Sequence, residues 1–256
     1  MSDKQYTLQT NNHIHYYTSD LLANSKIVHG FSTRQGNHGN DFSLGNETEL
    51  RDQNRHDYCN AVGVDFHNLA CLKQIHRDQI IVLEKTPESP PIADASITKQ
   101  PGIVLAIQTA DCVPILIADP ENKIIAAVHA GWRGTVANIL AKTLKKMFEL
   151  GADPQKCLVA VGPCIGPCCY QVDNLVIDQL KAAGIPWQAY VGAEDHGHWN
   201  LNLAAINIRQ ARMTGIPQQR ISRLDLCTAC NNGHFFSYRR EGKTGRMLNM
   251  IALSGD

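Results

Sequence analysis

The sequence lacks an excess of either charge and lacks any long apolar segment. Lysine plus arginine and aspartate plus glutamate number 24 each in 256 residues, so the formal net charge is zero when histidine is neutral. A balanced chain has no global field that attracts nucleic acid or an anionic membrane surface. The apolar runs are of strand length, and no basic start precedes an apolar stretch near residue 1. We therefore expect a cytoplasmic protein that binds neither nucleic acid nor a membrane.

The chain also lacks a disulfide framework and an interdomain linker. Its nine cysteines are an odd number, and the Pro-Cys-Cys cluster at 167–169 suits free thiols in a reducing compartment. The one proline-rich joint, at 86–91, is too short to separate two domains. We predict a single domain over residues 1–256, long enough to bury a core without staples. The oligomeric state is left between a monomer and a weak homo-oligomer.

Short apolar runs rich in β-branched residues predict the strands. Three of them, separated by turn signals, predict neighbouring buried strands at 103–107, 115–118 and 124–128. Further strands are predicted at 79–83, 158–161, 221–226 and 247–253.

Apolar residues at helical spacing predict four helices. The clearest stripe runs from Val136 to Phe148 after Gly134 and ends at Gly151, as in a helix packed on a sheet. The others are predicted at 47–62, capped by Thr48 and ended by Gly63, from Asp173 to Gly184, and at 203–213. Because helices and strands do not alternate strictly, we predict an α/β fold, a layered helix/sheet sandwich with mixed sheets, rather than a doubly wound parallel sheet.

Three potential metal ligands lie where predicted strands meet loops. His76 comes just before one predicted strand, Cys112 comes after another, and His129 follows a third. A thiolate and two imidazoles suit Zn²⁺, and three protein ligands leave the fourth tetrahedral position open for water or substrate. The spacing matches no local ligand rule, so the alternative is a small buried cysteine and two histidines bonded to backbone. The small and polar residues at 109–112 and 129–134 favour the metal site.

Asp111 and Arg133 are candidate catalytic residues beside the metal. Asp111 adjoins Cys112 and is placed to accept the free N–H of a ligand histidine, although a turn or cap is the alternative. Arg133 lies at the start of the long predicted helix, where its guanidinium and the helix N–H groups would hold an oxyanion. A surface arginine that covers the Trp132 ring is the alternative there.

Arginines beside aromatic residues are the candidate substrate contacts. Arg34, Arg239 and Arg240 are the main ones, with Arg246 beyond them. Planar cations and aromatic rings together suit a ligand with a flat base and a phosphate, although solvated strand ends are the alternative. The Cys-x-x-Cys spacing at 227–230 has no second such pair or matched histidine, so we interpret it as structural rather than as a redox pair or a second metal site.

Short motifs over residues 31–253 give the chain a resemblance to a known family. Among them the His-Ala-Gly-Trp-Arg-Gly block is the most specific. The motifs are Phe31-Ser-Thr-Arg34, Gln74-Ile-His76, Ala93-Asp-Ala95, Thr109-Ala-Asp-Cys-Val-Pro114, Val128-His-Ala-Gly-Trp-Arg-Gly134, Gly162-Pro-Cys-Ile-Gly166, Cys227-Thr228, Phe235-Phe-Ser-Tyr-Arg-Arg240 and Thr244-Gly-Arg246. On these motifs the chain resembles the bacterial laccase-domain family, labelled multicopper polyphenol oxidases and associated with purine nucleoside phosphorylase activity.

The resemblance implies the laccase-domain fold and a zinc site of His76, Cys112 and His129. It also implies phosphorolysis of adenosine, inosine, guanosine and methylthioadenosine, with nucleoside and phosphate as partners and adenosine deamination as a second reaction. We expect Arg133, with Arg239 or Arg240, to hold phosphate. The segment 35–39 departs from the Gly-Gly turn and serine that the family has there, which leaves the role of Arg34 open.

Three other functions stay open on the sequence. A His₂Cys set is also the core of blue-copper sites, so a copper polyphenol oxidase (laccase) is one alternative. The multicopper class needs several His-x-His pairs, whereas only His13-x-His15 and His196-x-His198 have that form and neither adjoins Cys112. The others are a hydrolase that edits a UDP-linked peptidoglycan precursor in the same pocket, and a metal-stabilised binding module without turnover.

Overall fold

Two six-stranded sheets form the centre of the protein in the computed structural model, which describes residues 5–37, 39, 41–45 and 49–254. In chain order the strands are β1 (Tyr6–Asn11), β2 (Ile14–Ser19), β3 (Ile27–Ser32), β4 (Leu69–Cys71), β5 (Ile80–Val82), β6 (Ala95–Thr98), β7 (Val104–Thr109), β8 (Val113–Asp119), β9 (Ile124–Ala130), β10 (Leu158–Val161), β11 (Gln171–Val172), β12 (Trp199–Asn200), β13 (Ile221–Arg223) and β14 (Met247–Leu253). The first sheet has the order β1-β2-β3-β14-β7-β4 and the second has the order β13-β10-β8-β9-β6-β5, while β11 and β12 form a separate ribbon.

Both sheets are mixed, as predicted. The pairs β4–β7, β5–β6 and β10–β13 are parallel, and the other pairs within the two sheets are antiparallel. The helices are α1 (Asp20–Ala23), α2 (Arg51–Val62), α3 (Trp132–Val136), α4 (Ile139–Glu149), α5 (Asn174–Ala182), α6 (Leu203–Met213) and α7 (Tyr238–Glu241). No helix within the described ranges is long and apolar enough to cross a membrane.

The central strands β8 and β9 are buried on both faces, which explains their unbroken apolar sequence. In β8, Ile115 and Ile117 pack in a core with residues of α4, α5 and α6, such as Leu144, whereas Leu116 points to the opposite core. That second core joins the two sheets through residues such as Ile107 of β7. A third core joins the outer face of the first sheet to α2. The layers are therefore helix, sheet, sheet and helix.

Several predicted elements agree with the structure. The strands at 158–161 and 247–253 and the helix at 203–213 have the predicted bounds. Asp173 caps α5 by accepting the N–H of Val176, and the left-handed Gly63 follows α2. The helix α2 itself begins at Arg51, and the predicted cap Thr48 lies outside the described residues.

Two predictions of arrangement are wrong. The run at 103–107 belongs to β7, which pairs with β14 and β4 in the first sheet and not with β8 and β9 in the second. The long helix predicted after Gly134 is two helices, because Asn138 has a left-handed backbone with φ of 60° that separates α3 from α4. Arg133 therefore lies on the five-residue α3 and not at the start of the long helix.

Candidate functional site

Strand ends and the loops beside them bring His76, Cys112 and His129 together. His76 lies in the loop before β5, Cys112 directly precedes β8, and His129 is the next-to-last residue of β9. One ligand atom of each residue lies within 4.8 Å of those of the other two. The two imidazole rings have centroids 4.8 Å apart and are nearly perpendicular, at 87°. Three distant stretches of chain thus place a thiol and two imidazoles around one point.

Gly131 leaves the space in which these groups meet. A Cβ on this residue would lie 3.1 Å from Cys112 Sγ and 3.5 Å from the His76 ring. The first distance is tighter than an ordinary carbon–sulfur contact, so a side chain at this position would push the thiol aside. Gly131 therefore leaves the space that the Cys112 thiol and the His76 ring occupy.

Asp94 orients His129 and the loop of His76, whereas the sequence predicts Asp111 as the acceptor of a histidine N–H. Its carboxylate accepts a hydrogen bond from His129 Nδ1 at 2.8 Å, which leaves Nε2 of that ring for an ion. The same carboxylate accepts the backbone N–H groups of Ile75, His76 and Arg77 at 2.9–3.2 Å. These bonds hold His76 in a left-handed conformation with φ of 57°. The prediction for Asp111 is wrong because the fully buried Asp94 occupies that position.

Asp111, next to Cys112 in the chain, instead bonds to the loop after β13 and to the helix α7. Its carboxylate accepts the hydroxyl of Thr228 and the backbone N–H of Arg239, both at 2.6 Å. Its own backbone has φ of 94°, a strained conformation for a residue with a side chain. Asp111 therefore fixes the wall of the site and remains at its edge as a polar group.

The surroundings of Cys112 favour its thiolate form. Burial opposes its ionisation, but the neighbouring His129 and His76 outweigh that effect and lower the pKa of the thiol to about 6. Burial raises the pKa of Cys59, Cys157 and Cys164 to about 12. Cys112 is therefore a thiolate at neutral pH, the form that binds metal ions.

The pKa values of His129 and Asp94 shift in the directions that favour their charged forms. Burial lowers the pKa of His129, but the Cys112 thiolate and the Asp94 carboxylate outweigh it and raise the pKa to about 9. Burial also raises the pKa of Asp94, yet its bonds from His129 and the backbone lower the value overall. The triad and Asp94 form one electrostatic unit, in which a cation between the thiolate and the imidazoles would take the place of the proton.

A cavity of about 530 Å³ opens beside the triad, a size typical of small-molecule sites. Its wall combines cationic, aromatic and amide side chains with the triad at one end. Besides the triad it includes Leu72, Lys73, Gln74, Gln108, Thr109, Ala110, Asp111, Ile165, Tyr170, Tyr238, Arg239 and Arg246. A second space of about 100 Å³ shares His76, Asp111, Cys112, Ile165 and Tyr170 and is otherwise lined by Gly131, Trp132, Arg133 and Leu203.

The predicted arginines divide between these spaces and the surrounding framework. Arg239 lines the large cavity, where its guanidinium donates to the carbonyls of Cys169 and Gln171 at 3.0 Å. Arg133 lines the small space, and its guanidinium lies 4.2 Å from the centre of the Trp132 ring. This is the contact expected of an arginine that covers the Trp132 ring, the alternative to an oxyanion site.

Arg34 and Arg240 are outside the described wall of both spaces. The guanidinium of Arg240 donates to the carbonyls of Thr228, Ala229 and Phe235. Arg34 pairs with Glu241 at 2.8 Å and lies 4.5 Å from the centre of the Phe236 ring. Both side chains hold the α7 segment in place.

Sequence reasoning missed several residues of the site. Asp94 was noted only within the motif Ala93-Asp-Ala95, and a lone carboxylate between two alanines was the available signal. Lys73, Tyr170 and Tyr238 line the cavity without any distinctive spacing. Only the long-range packing of the loops at 72–76, 162–170 and 227–246 reveals them.

Comparison with known proteins finds a family model and several curated relatives that are similar to this chain. Residues 28–254 match the family model described as multi-copper polyphenol oxidoreductase laccase. A purine nucleoside phosphorylase of Deinococcus radiodurans is 36% identical over 241 residues, which are 90% of each chain. The purine nucleoside phosphorylase YfiH of Escherichia coli is 35% identical over 183 residues, 71% of this chain and 72% of that protein.

Solved structures show the same fold. The crystal structure of YlmD from Geobacillus stearothermophilus has a TM-score of 0.88 and 28% sequence identity, and the match covers 98% of this chain and 99% of that one. The hypothetical protein YfiH of Bacillus licheniformis has the same TM-score of 0.88 at 27% identity, covering 98% of this chain and all of the other. The predicted layered α/β fold is confirmed.

Proposed function

We propose a function from one established premise: this chain belongs to the family described as multi-copper polyphenol oxidoreductase laccase. The proposed activity is zinc-dependent phosphorolysis of the purine nucleosides adenosine, inosine, guanosine and methylthioadenosine. Relatives that are 35–36% identical carry the name purine nucleoside phosphorylase. The observation that carries the proposal is the juxtaposition of a thiolate and two imidazoles with a cavity of about 530 Å³ lined by cations and aromatic rings.

The residues of the triad fit Zn²⁺ on chemical grounds. Cys112, His76 and His129 supply one sulfur and two nitrogens within 4.8 Å of one another, and Asp94 fixes the tautomer of His129. Three protein ligands are the number found in catalytic zinc sites, which keep one position open. A bound Zn²⁺ supplies a Lewis acid that polarises oxygen atoms in the cavity and stabilises negative charge there.

The wall of the cavity supplies the groups that phosphorolysis needs. Phosphate must lie near C1′ of the ribose, and we assign its binding to Arg239 with Arg133, a lining residue of the adjoining space. The hydrogen bonds of Arg239 to two carbonyls orient its planar group in advance. The rings of Tyr170 and Tyr238 offer flat surfaces for the purine.

The departing purine needs a proton and the ribose needs a negative neighbour as it becomes cation-like. Asp111 adjoins Cys112 and accepts the backbone N–H of Arg239, and we propose that its carboxyl group passes a proton from the attacking dihydrogen phosphate ion to the departing purine. Deamination of adenosine by water, which yields inosine and ammonia, is proposed as a second reaction of the same site. It needs no phosphate, so the two reactions are separable by experiment.

The test is product analysis of purified protein incubated with adenosine, with and without inorganic phosphate. Adenine and ribose 1-phosphate that form only with phosphate support phosphorolysis, and inosine that forms without phosphate supports deamination. Cys112→Ala is expected to remove the triad metal and both activities. The matched control Cys157→Ala removes a buried thiol in another part of the fold and is expected to retain them. Absence of all three products, or full activity of Cys112→Ala, would contradict the proposal.

Copper oxidation of phenols is a second candidate because the family description names it. Within the described residues, groups of three or more potential metal ligands occur at the triad and at one cluster of four cysteines, and neither provides the histidines of a trinuclear copper centre. A copper-loaded protein that shows an intense visible band from thiolate to copper and oxidises phenols would favour this candidate over phosphorolysis.

A further inference from the structure

Four cysteines from two distant loops meet at a second point of the protein. Cys168 and Cys169 lie on the loop after β10, and Cys227 and Cys230 lie on the loop after β13. Their sulfur atoms all lie within 4.8 Å of one another. Cys230 Sγ is 3.4 Å from Cys168 Sγ and 3.3 Å from Cys169 Sγ, and all four are free thiols. The sequence showed no partner for the Cys-x-x-Cys pair, and the structure supplies one.

We propose that Cys168, Cys169, Cys227 and Cys230 bind a second metal ion, a structural Zn²⁺, separate from the His76–Cys112–His129 site. Zinc–sulfur bonds of about 2.3 Å in a tetrahedron place the sulfurs roughly 3.8 Å apart. Two of the observed separations are 3.3 Å and 3.4 Å, and none exceeds 4.8 Å, so small shifts of the side chains would give the tetrahedron. Four thiolates complete the coordination of zinc, so no position is left for substrate.

The backbone around the sulfurs is shaped for such a site. Each pair lies on a turn: Cys169 N–H donates to the Gly166 carbonyl at 3.0 Å, and Asn231 N–H donates to the Cys227 carbonyl at 3.1 Å. The N–H of Gly166 points at Cys227 Sγ from 3.2 Å, a bond that stabilises a thiolate. A Cβ on Gly166 would lie 3.1 Å from Cys227 Cβ and 3.3 Å from Cys168 Sγ. A side chain at Gly166 would therefore push Cys227 and Cys168 aside where the two turns approach.

The charges nearby suit a zinc ion with four thiolates, which carries a net negative charge. Arg239 donates to the carbonyl of Cys169, and Arg240 donates to the carbonyls of Thr228 and Ala229. Both guanidinium groups thus lie against the turns that bear the sulfurs. Cys168 and Cys230 are exposed, which gives an ion a path from solvent.

The four cysteines lie on two loops that adjoin the wall of the cavity. The loop with Cys169 leads into Tyr170 of the cavity wall, and the loop with Cys227 leads into Thr228, which bonds to Asp111. A metal ion at the cluster would cross-link these loops and hold one wall of the cavity. The four cysteines are positioning residues in this account, and the proposal does not depend on which reaction the cavity performs.

Metal analysis distinguishes the two sites. Protein purified with reductant and zinc, then desalted, is expected to contain two zinc ions per chain by plasma mass spectrometry. Cys112→Ala and Cys230→Ser are each expected to contain one, and the double variant is expected to contain none. The control Cys164→Ala removes a buried thiol that adjoins the loop but is outside the cluster, and it is expected to keep two. A Cys112→Ala variant that retains no zinc, or a Cys230→Ser variant with as much zinc as the wild type, would overturn the proposal.

A spectroscopic readout guards against misfolding of Cys230→Ser. Cobalt(II) added to the reduced Cys112→Ala variant, whose four clustered cysteines are intact, is expected to give intense visible bands of a four-coordinate thiolate site with a stoichiometry of one. A weak six-coordinate spectrum would overturn the proposal. So would peptide mapping of reductant-purified protein that finds Cys230 in a disulfide with Cys168 or Cys169.

Discussion

At the scale of single residues, Asp94 connects the two histidines of the triad. It accepts the ring N–H of His129 and the backbone N–H of His76, so one carboxylate sets both a side-chain tautomer and a loop conformation. Its complete burial strengthens these bonds and makes their loss costly. A residue that never touches the ion is thereby expected to govern how well the ion binds.

We predict that Asp94→Asn weakens zinc binding at the triad by about 10–100-fold, the usual effect of losing such a partner. An amide cannot accept from His129 and three backbone N–H groups at once. The measurement is zinc affinity by competition with a chelator. Asp119→Asn is the matched control, because Asp119 is also fully buried and accepts backbone N–H groups but contacts no triad residue. Equal affinity of both variants and the wild type would refute the role of Asp94.

Single residues also decide which parts of the site could be predicted from the sequence. His76, Cys112 and His129 were identifiable because their chemistry is unusual at strand ends, and the structure brings them together. The sequence could not show that Asp94, and not Asp111, bonds to His129. Asp111 adjoins Cys112 in the sequence, whereas Asp94 reaches His129 only in the folded chain. The cysteine cluster was missed since its two halves are about 60 residues apart, and adjacent thiols follow no common ligand spacing.

At the scale of elements, Asn138 divides what the periodicity predicts as one helix. The apolar stripe from Val136 to Phe148 continues across the break, so the pattern alone gives no sign of it. The left-handed φ of 60° at Asn138 is a conformation that asparagine and glycine tolerate better than other residues. The break puts Arg133 on the short helix α3, whose residues Trp132 and Arg133 line the small space beside the triad.

We predict that Asn138→Ala lowers the free energy of unfolding by about 1–2 kcal/mol, the cost of a left-handed backbone for alanine. Asn138→Gly is expected to change it by less than about 1 kcal/mol, because glycine adopts this conformation without strain. Urea denaturation followed by circular dichroism measures both. Equal destabilisation by alanine and glycine would show that backbone conformation is not what asparagine provides here.

The short helix α7 depends on a pH-sensitive contact. Burial raises the pKa of Glu241, but bonds from Thr244 and Arg240 and the charge of Arg34 outweigh it and lower the pKa below its ordinary value of 4.5. A carboxylate with a lowered pKa in the folded protein stabilises the fold above its unfolded pKa, and this contribution is lost as the pH falls through the folded pKa.

We therefore predict that Glu241→Gln destabilises the protein at neutral pH by roughly 1 kcal/mol, a value reduced by partial solvent exposure. The difference from the wild type should shrink as the pH falls from about 6 to about 3. Urea midpoints across that range measure it, with the exposed Glu194→Gln as control. A difference that stays constant with pH would contradict the assignment of the ion pair to Glu241.

At the scale of the whole molecule, the layered architecture gathers the site at the ends of central strands of the two sheets, beside β7, β8 and β9. Local patterns predicted β8, β9, β10 and β14 because buried strands have continuous apolar sequence. They did not predict which sheet contains β7, since the partner β14 lies about 140 residues away and long-range pairing leaves no local signal. The amino-terminal strands β1 to β3 went unassigned because polar residues interrupt their apolar sequence and leave no continuous apolar run.

The central claim is that His76, Cys112 and His129 share one metal ion beside the cavity. The most direct test is a crystal structure of zinc-loaded protein with anomalous diffraction recorded at the zinc edge. The account predicts a peak at about 2.3 Å from Cys112 Sγ and about 2.0–2.1 Å from a nitrogen of each histidine, with the remaining position facing the cavity. Crystals of zinc-saturated protein with no anomalous peak among these three side chains would contradict it.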